Sequence, residues 1–396
     1  VSLEIQPEID KVWFNLGVEL LNKRCFDRAI EAFERANELK PGNYEVWVNK
    51  SWALSNLGRF DEALAACDQA LVFQSNFHGA WCNRGIALRL LGRNLEALEA
   101  FEQALKLMPG LHEAWENRGI TLLTLERFEE ALANFDNAVK LKSDDSEAWY
   151  FRSIALLNLE RYEDALTSTE QSLKLKGDLS AAWQNQGCAL DELGRYDEAI
   201  ASYDKAIEFQ KDNFDAWYNR GNLLINLERF EEAIASYERA IEFHHDFPQA
   251  WCNLGIALMN LERFEEALPC FERSLKFQRD LPQAWYNRAN TLLSLKRFEE
   301  ALTSYDKYDQ VCPDDSDTFY SKACCYAQLL HIEQAVFNLQ QAINLSPNQY
   351  QDVAKTDSYF HKIRSNEQFQ ALIKSLSDAN FSRLGNTSAL EKMFLW

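Results

Sequence analysis

Eight asparagines stand on one 34-residue register: Asn15, Asn49, Asn83, Asn117, Asn185, Asn219, Asn253 and Asn287. Only Phe151 and Ser321 interrupt the series. A carboxamide sets a hydrogen-bond donor beside an acceptor, matching the N–H and C=O of an extended peptide. Asparagine is a poor helix-interior residue, so its recurrence inside helical patterns needs a reason. Binding a peptide backbone is one. Bonds to a neighbouring unit, or copying of one ancestral unit, are the others. One place earlier stand Phe14, Tyr150, Tyr218, Tyr286 and Tyr320. Tyrosine joins an apolar ring to a polar tip, so Tyr150, Tyr218 and Tyr286 are candidates for gripping ligand side chains. Packing between units is the competing role.

No other constellation carries chemistry. The six histidines are scattered, and His244–His245 has no Cys or carboxylate in metal-ligand spacing. There is no phosphate-binding Gly-rich loop, no GxSxG and no Ser/His/Asp order. Paired acids such as Glu129–Glu130 read as solvated turns. The chain therefore reads as no enzyme, without cofactor or metal. Its 61 acidic and 41 basic residues give a formal charge of −20, which argues against nucleic acid or an anionic membrane as partner. No apolar run reaches the roughly 18 residues a bilayer span needs, and no signal peptide is legible. The nine cysteines include no CxxC. Those inside helical patterns, such as Cys67 and Cys270, suit small apolar packing and a reducing cytoplasm. For the adjacent Cys324 and Cys325 a strained disulfide is the less favoured alternative.

The elements that position the asparagines follow from tryptophan. Trp13, Trp47, Trp81, Trp115, Trp149, Trp183, Trp217, Trp251 and Trp285 are spaced by 34 residues, and Phe319 takes the tenth place. Four residues on comes a small residue, as Gly119 follows Trp115; sixteen on comes alanine; twenty on there is usually an aromatic, as at Phe135. Trp115, Gly119 and Leu122 lie on one stripe of a helix, and Ala131, Phe135 and Ala138 on one stripe of a second. The linking LERF is short enough only for a tight helix–helix connection. Small residues let the two axes approach, with Trp and Phe filling the flanks. Neither helix can bury its face alone, so the units must stack.

This pattern resembles the tetratricopeptide repeat, whose signature stands almost whole in Trp13, Leu16, Gly17, Ala29, Phe33 and Pro41. The resemblance covers ten units, residues 10–349, and implies an all-α fold: a right-handed superhelix, or α-solenoid, of ten helix-turn-helix repeats. It also implies that the asparagine place lies on a concave wall, where a similar asparagine series holds peptide backbones in some members. Members that clamp acidic C-termini need Lys or Arg there. Here the residue after the aromatic is never basic, and two before it stand Glu45, Glu113, Glu147, Asp215 and Asp317, with Lys11 the sole cation. A neutral to basic protein or peptide segment is the expected partner, and self-association is open. Arg84, Arg118, Arg152, Arg220 and Arg288 stand where the family has leucine. Their guanidinium groups are expected to reach acids of an adjoining unit, with a binding role the lesser alternative.

At the ends, residues 1–9 read as the remnant of a preceding repeat, with Pro7 34 residues before Pro41. Residues 350–376 read as a C-terminal capping region, its last helix opened by a capping box at Ser365–Gln368, with Phe360, Ile363, Phe369 and Leu372 covering the tenth repeat. Residues 377–396 read as a tail. Two functions fit. One is a peptide-binding scaffold. The other is a sensor or regulatory array of a larger protein whose protease, NTPase or kinase effector lies elsewhere, a style of repeat found in large bacterial, notably cyanobacterial, proteins.

Overall fold

The computed structural model describes residues 9–375, and among them every regular element is a helix. The expectations for the first eight residues, Pro7 among them, and for the tail concern residues outside the described ones. Contacts divide the chain into two compact units, ending at Phe209 and beginning at Gln210.

The first unit holds six helix pairs: α1 (Ile9–Asn22) with α2 (Phe26–Leu39), α3 (Tyr44–Asn56) with α4 (Phe60–Phe73), and α5 (His78–Leu90) with α6 (Asn94–Leu107). Then come α7 (His112–Thr124) with α8 (Phe128–Leu141), α9 (Ser146–Asn158) with α10 (Tyr162–Leu175), and α11 (Ser180–Glu192) with α12 (Tyr196–Phe209). The second unit holds α13 (Phe214–Asn226) with α14 (Phe230–Phe243), and α15 (Pro248–Asn260) with α16 (Phe264–Phe277). It continues with α17 (Pro282–Ser294) and α18 (Phe298–Asp309), then α19 (Ser316–Gln328) and α20 (Ile332–Leu345). After these come α21 (Pro347–Thr356), a 3-10 turn at Ser358–Phe360, and α22 (Glu367–Ser375).

Each pair closes on a size match. A Cβ added to Gly119 would sit 2.7 Å from the Phe135 ring, which is fully buried. The place sixteen residues on is smaller where the small residue is serine: Ser51 is matched by Cys67 and Ser153 by Thr169, while Ala289 keeps a ring at Tyr305. At the serine sites volume is thus traded across the pair. The tryptophans play a lesser part than expected. They are half-exposed, and within the ten pairs the fully buried large rings are those of the second helices. From Trp81 to Trp285 each indole of the series instead ties down the loop before it: Trp115 Nε1 donates to the Pro109 carbonyl at 2.8 Å, Trp149 to Ser143 at 2.9 Å and Trp251 to His245 at 2.8 Å. Trp47 departs from the rule, its buried Nε1 finding no partner.

The recurring LERFEEA is a helix stop followed by a start. In the pair α7–α8, Arg127 N–H bonds the Leu122 carbonyl at 2.9 Å and Glu126 N–H bonds Leu123 at 3.0 Å, a Schellman closure. It demands a left-handed residue, and Glu126 supplies it at φ 57°, where Gly58, Gly92 and Gly194 serve other pairs. Arg127 then grips Glu130 with two bonds of 2.7 Å, and the same fork recurs from Arg59–Glu62 to Arg297–Glu300.

At the far end Phe360, Ile363, Phe369 and Leu372 share one core with Tyr320, Cys324 and Leu339 of the tenth pair. α21 starts at Pro347, so the expected boundary at 349 falls within a helix. The last helix is capped by Asn366, whose Oδ1 accepts from the Gln368 and Phe369 amides, rather than by Ser365. None of the nine cysteines is in a disulfide, Cys324 and Cys325 included.

Candidate functional site: the first-helix wall

Within each unit, consecutive first helices touch: α3 with α5, α5 with α7 and α7 with α9 in one, α13 with α15 and α15 with α17 in the other. No comparable contact joins consecutive second helices among the described residues. Repeats are thus closest on the first-helix side, which makes the first helices the inner wall of each unit. The asparagines lie on these helices.

Their amides are not idle. Asn83 Nδ2 lies 3.1 Å from Ser51 Oγ and 3.3 Å from the Val48 carbonyl, both of the preceding repeat. Asn185 Nδ2 reaches Ser153 Oγ at 3.0 Å. Asn253 Nδ2 lies 2.9 Å from Asn222 Oδ1 and 3.2 Å from Tyr218 Oη. These three tie neighbouring repeats together. Asn49 and Asn117 turn the same atom to their own helices, at the Glu45 and Glu113 carbonyls, 2.9 Å each. Asn15 is exposed, Asn219 is half-buried, and Asn287 is only 7% exposed.

The tyrosines divide. Tyr218 packs on Phe247 at 4.8 Å and Tyr286 on Tyr308 at 5.2 Å, so both rings fill space between elements. Tyr150 sits beside Phe151, and burial raises the pKa of its hydroxyl. Three of the five cations that replace leucine bridge repeats, as expected: Arg84 reaches Asp68 at 2.9 Å, Arg152 reaches Asp136 at 2.7 Å and Arg288 reaches Glu272 at 3.1 Å. Each acid is on the second helix of the preceding repeat. Arg118 Nη1 instead donates to Asn134 Oδ1 at 3.1 Å, and Arg220 Nη1 donates to Ser236 Oγ at 2.7 Å, each within its own repeat.

Two wall residues escaped the sequence reading. Glu116 is half-buried on α7 and its carboxylate makes no hydrogen bond among the described residues; burial, with Asp145, Glu147 and Glu113 nearby, pushes its carboxyl up to about 7. Arg89 on α5 is half-buried as well, its Nη2 on Asn117 Oδ1 at 3.3 Å and its Nε without a partner. A signal for Glu116 existed: among the ten residues that follow the aromatic, it is the sole charged one. Among the described residues no group of His, Cys, Asp or Glu gathers to hold a metal, and no helix is long and apolar enough to cross a membrane.

Family models described as tetratricopeptide repeats match residues 25–76, 78–111, 116–178, 185–250, 248–281, 282–315 and 316–349. The chain belongs to the tetratricopeptide repeat family. Repeats of this family generally mediate protein–protein or peptide binding, and the family is typically one of non-catalytic scaffolds. Among solved structures, a tetratricopeptide repeat protein from Parabacteroides merdae shares 17% identity, covering 63% of this chain and 98% of its own, with a TM-score of 0.48. The C-terminal part of a repeat protein from Cytophaga hutchinsonii shares 18%, covering 60% and 98%, at 0.50. YrrB, described as a TPR protein with an unusual peptide-binding site, shares 27%, covering 47% and 96%, at 0.42. No curated protein matches the chain.

Proposed function

We propose that this tetratricopeptide repeat array is a cytoplasmic scaffold, without catalysis of its own, whose first-helix walls hold an extended, neutral to basic peptide segment. The supporting observation is the wall itself: within each unit, adjoining first helices present carboxamides at one register place, oriented by bonds to the repeat before or to their own helix. Rungs spaced by about 10 Å meet every third residue of an extended chain. Tyr150 stands beside these rungs with a hydroxyl for a ligand polar group.

The rungs allow binding and folding roles to be separated. Asn49 bonds only its own helix, so Asn49→Ala removes a ligand contact and no tie between repeats, whereas Asn117 Oδ1 also accepts from Arg89 of the repeat before. Each net hydrogen bond contributes ~0.5–1.5 kcal/mol, so Asn49→Ala should weaken a recovered peptide roughly severalfold while the melting temperature holds, alanine being the better helix former. Titration of a display-selected peptide, with circular dichroism as the folding check, measures both. Unchanged affinity in the folded Asn49→Ala variant would leave the asparagines with a structural role only.

A further inference from the structure

The hydrogen bonds around the first unit's asparagines decide which atom each rung leaves for a ligand. Ser51 Oγ donates to the Val48 carbonyl at 2.7 Å, so toward Asn83 it has only lone pairs, and the atom 3.1 Å away must be the amide nitrogen. Ser153 repeats the arrangement, donating to the Tyr150 carbonyl at 2.6 Å and accepting from Asn185 at 3.0 Å. Asn49 and Asn117 face backbone carbonyls, which only accept. In all four rungs the donor is tied down, and at Asn49, Asn83 and Asn185 the oxygen is left over. Arg89 takes up the Asn117 oxygen at 3.3 Å, longer than a normal hydrogen bond of this type.

Glu116 lies on the same stretch of wall as another acceptor without a partner. The charged groups around it are Glu113 on its own helix, Asp145 and Glu147 at the start of α9, Lys142 before α9, and Arg89 on α5. Lys142 is engaged by Asp145 at 2.9 Å, and Arg89 makes no ion pair. Acceptors therefore outnumber available donors from Asn49 to Asn185.

We infer that this wall recognises its occupant by the occupant's donors: backbone N–H groups at the asparagine oxygens, and one Lys or Arg side chain at Glu116. The inference rests on the peptide-binding reading and adds to it a polarity and a cation subsite. An acidic segment would bring more acceptors and like charge to a wall already rich in both. A cation beside Glu116 favours its ionised form, so binding near pH 7 should release part of a proton.

Dodecapeptides selected from a random display library on the whole chain at pH 7.5, resynthesised with capped ends, supply the probes. Selection should enrich Lys and Arg and deplete Asp and Glu. Replacing the key basic residue by norleucine should weaken binding at least tenfold in the unaltered chain and less than twofold in Glu116→Gln, an isosteric change that relieves repulsion. N-methylation at the peptide amides facing the rungs should cost a similar factor. Calorimetry in two buffers of different ionisation heat should find proton release with the unaltered chain and none with Glu116→Gln. Selected peptides without basic preference, or a norleucine effect equal in both proteins, would overturn the inference while leaving peptide binding intact. Failure to select any peptide would remove the scaffold reading as well.

Discussion

The buried hydroxyl of Tyr237 donates to Asn222 Oδ1 at 2.7 Å, linking the second helix of a repeat to its first. The pairing has a rule. Tyr305 donates to Asn290 at 2.6 Å and Tyr203 to Cys188 Sγ at 3.5 Å, each fifteen residues back. Where the ring is phenylalanine, the residue fifteen back is aliphatic: Val18 for Phe33, Ile86 for Phe101, Ile120 for Phe135 and Ile256 for Phe271. A buried hydroxyl without a partner costs ~1–3 kcal/mol, so the polar and apolar versions of the site change together.

That coupling is testable. Asn222→Ile alone should destabilise by ~1–3 kcal/mol, because it strands the Tyr237 hydroxyl. Adding Tyr237→Phe recreates the Phe135–Ile120 pair and should recover the share due to the hydroxyl, leaving that of the lost Asn253–Asn222 bond. Urea unfolding of the two singles and the double variant measures the coupling. Strictly additive losses would show that the hydroxyl has another partner.

The half-exposed tryptophans should be worth less than the buried rings. Phe135→Ala should cost ~3–5 kcal/mol, and Trp149→Ala clearly less. Trp149→Phe removes the bond to the Ser143 carbonyl and should cost ~0.5–1.5 kcal/mol. Trp47→Phe removes a buried donor that has no partner, so it should be neutral or stabilising. Equal shifts in denaturation midpoint for the two Trp→Phe changes would contradict the loop-tying role.

At Glu126, φ is 57°, a region that disfavours side chains by ~1–2 kcal/mol. Glycine's greater freedom in the unfolded chain offsets part of this. Glu126→Gly should therefore stabilise by up to ~1 kcal/mol, and Gly92→Glu, at φ 75°, should do the reverse. A thermal melt of each reports the sign.

Glu116 should make stability depend on pH. Its folded carboxyl, pushed up to about 7, lies above the ordinary range near 4.3, so between those values the folded chain holds the proton more tightly than the unfolded one. This group's contribution to stability is greatest below about 4.3, falls as pH rises to about 7, and then levels off. Glu116→Gln should thus raise stability at pH 8, by something on the order of 1 kcal/mol after allowance for partial exposure, and change it little at pH 4. A gain that does not vary with pH would mean Glu116 titrates normally.

Much of this fold was legible because repetition averages out local ambiguity. Ten copies of one spacing identify the small residue, the alanine and the ring that must meet, and a 34-residue period leaves no slack for another pairing of helices. The bridging role of Arg84, Arg152 and Arg288 was legible too, since an unneutralised cation near a packed face needs an acid within reach. Tertiary structure decided what a register place cannot say. Whether Asn83 offers a ligand its nitrogen or its oxygen depends on where the Ser51 proton points, a contact 32 residues away. Whether Glu116 is an ordinary surface acid or a strained one depends on how deeply α5 and α9 enclose it. Spacing sets which residues share a face; only the packed neighbours set their burial and charge, and from those come hydrogen-bond direction and proton affinity.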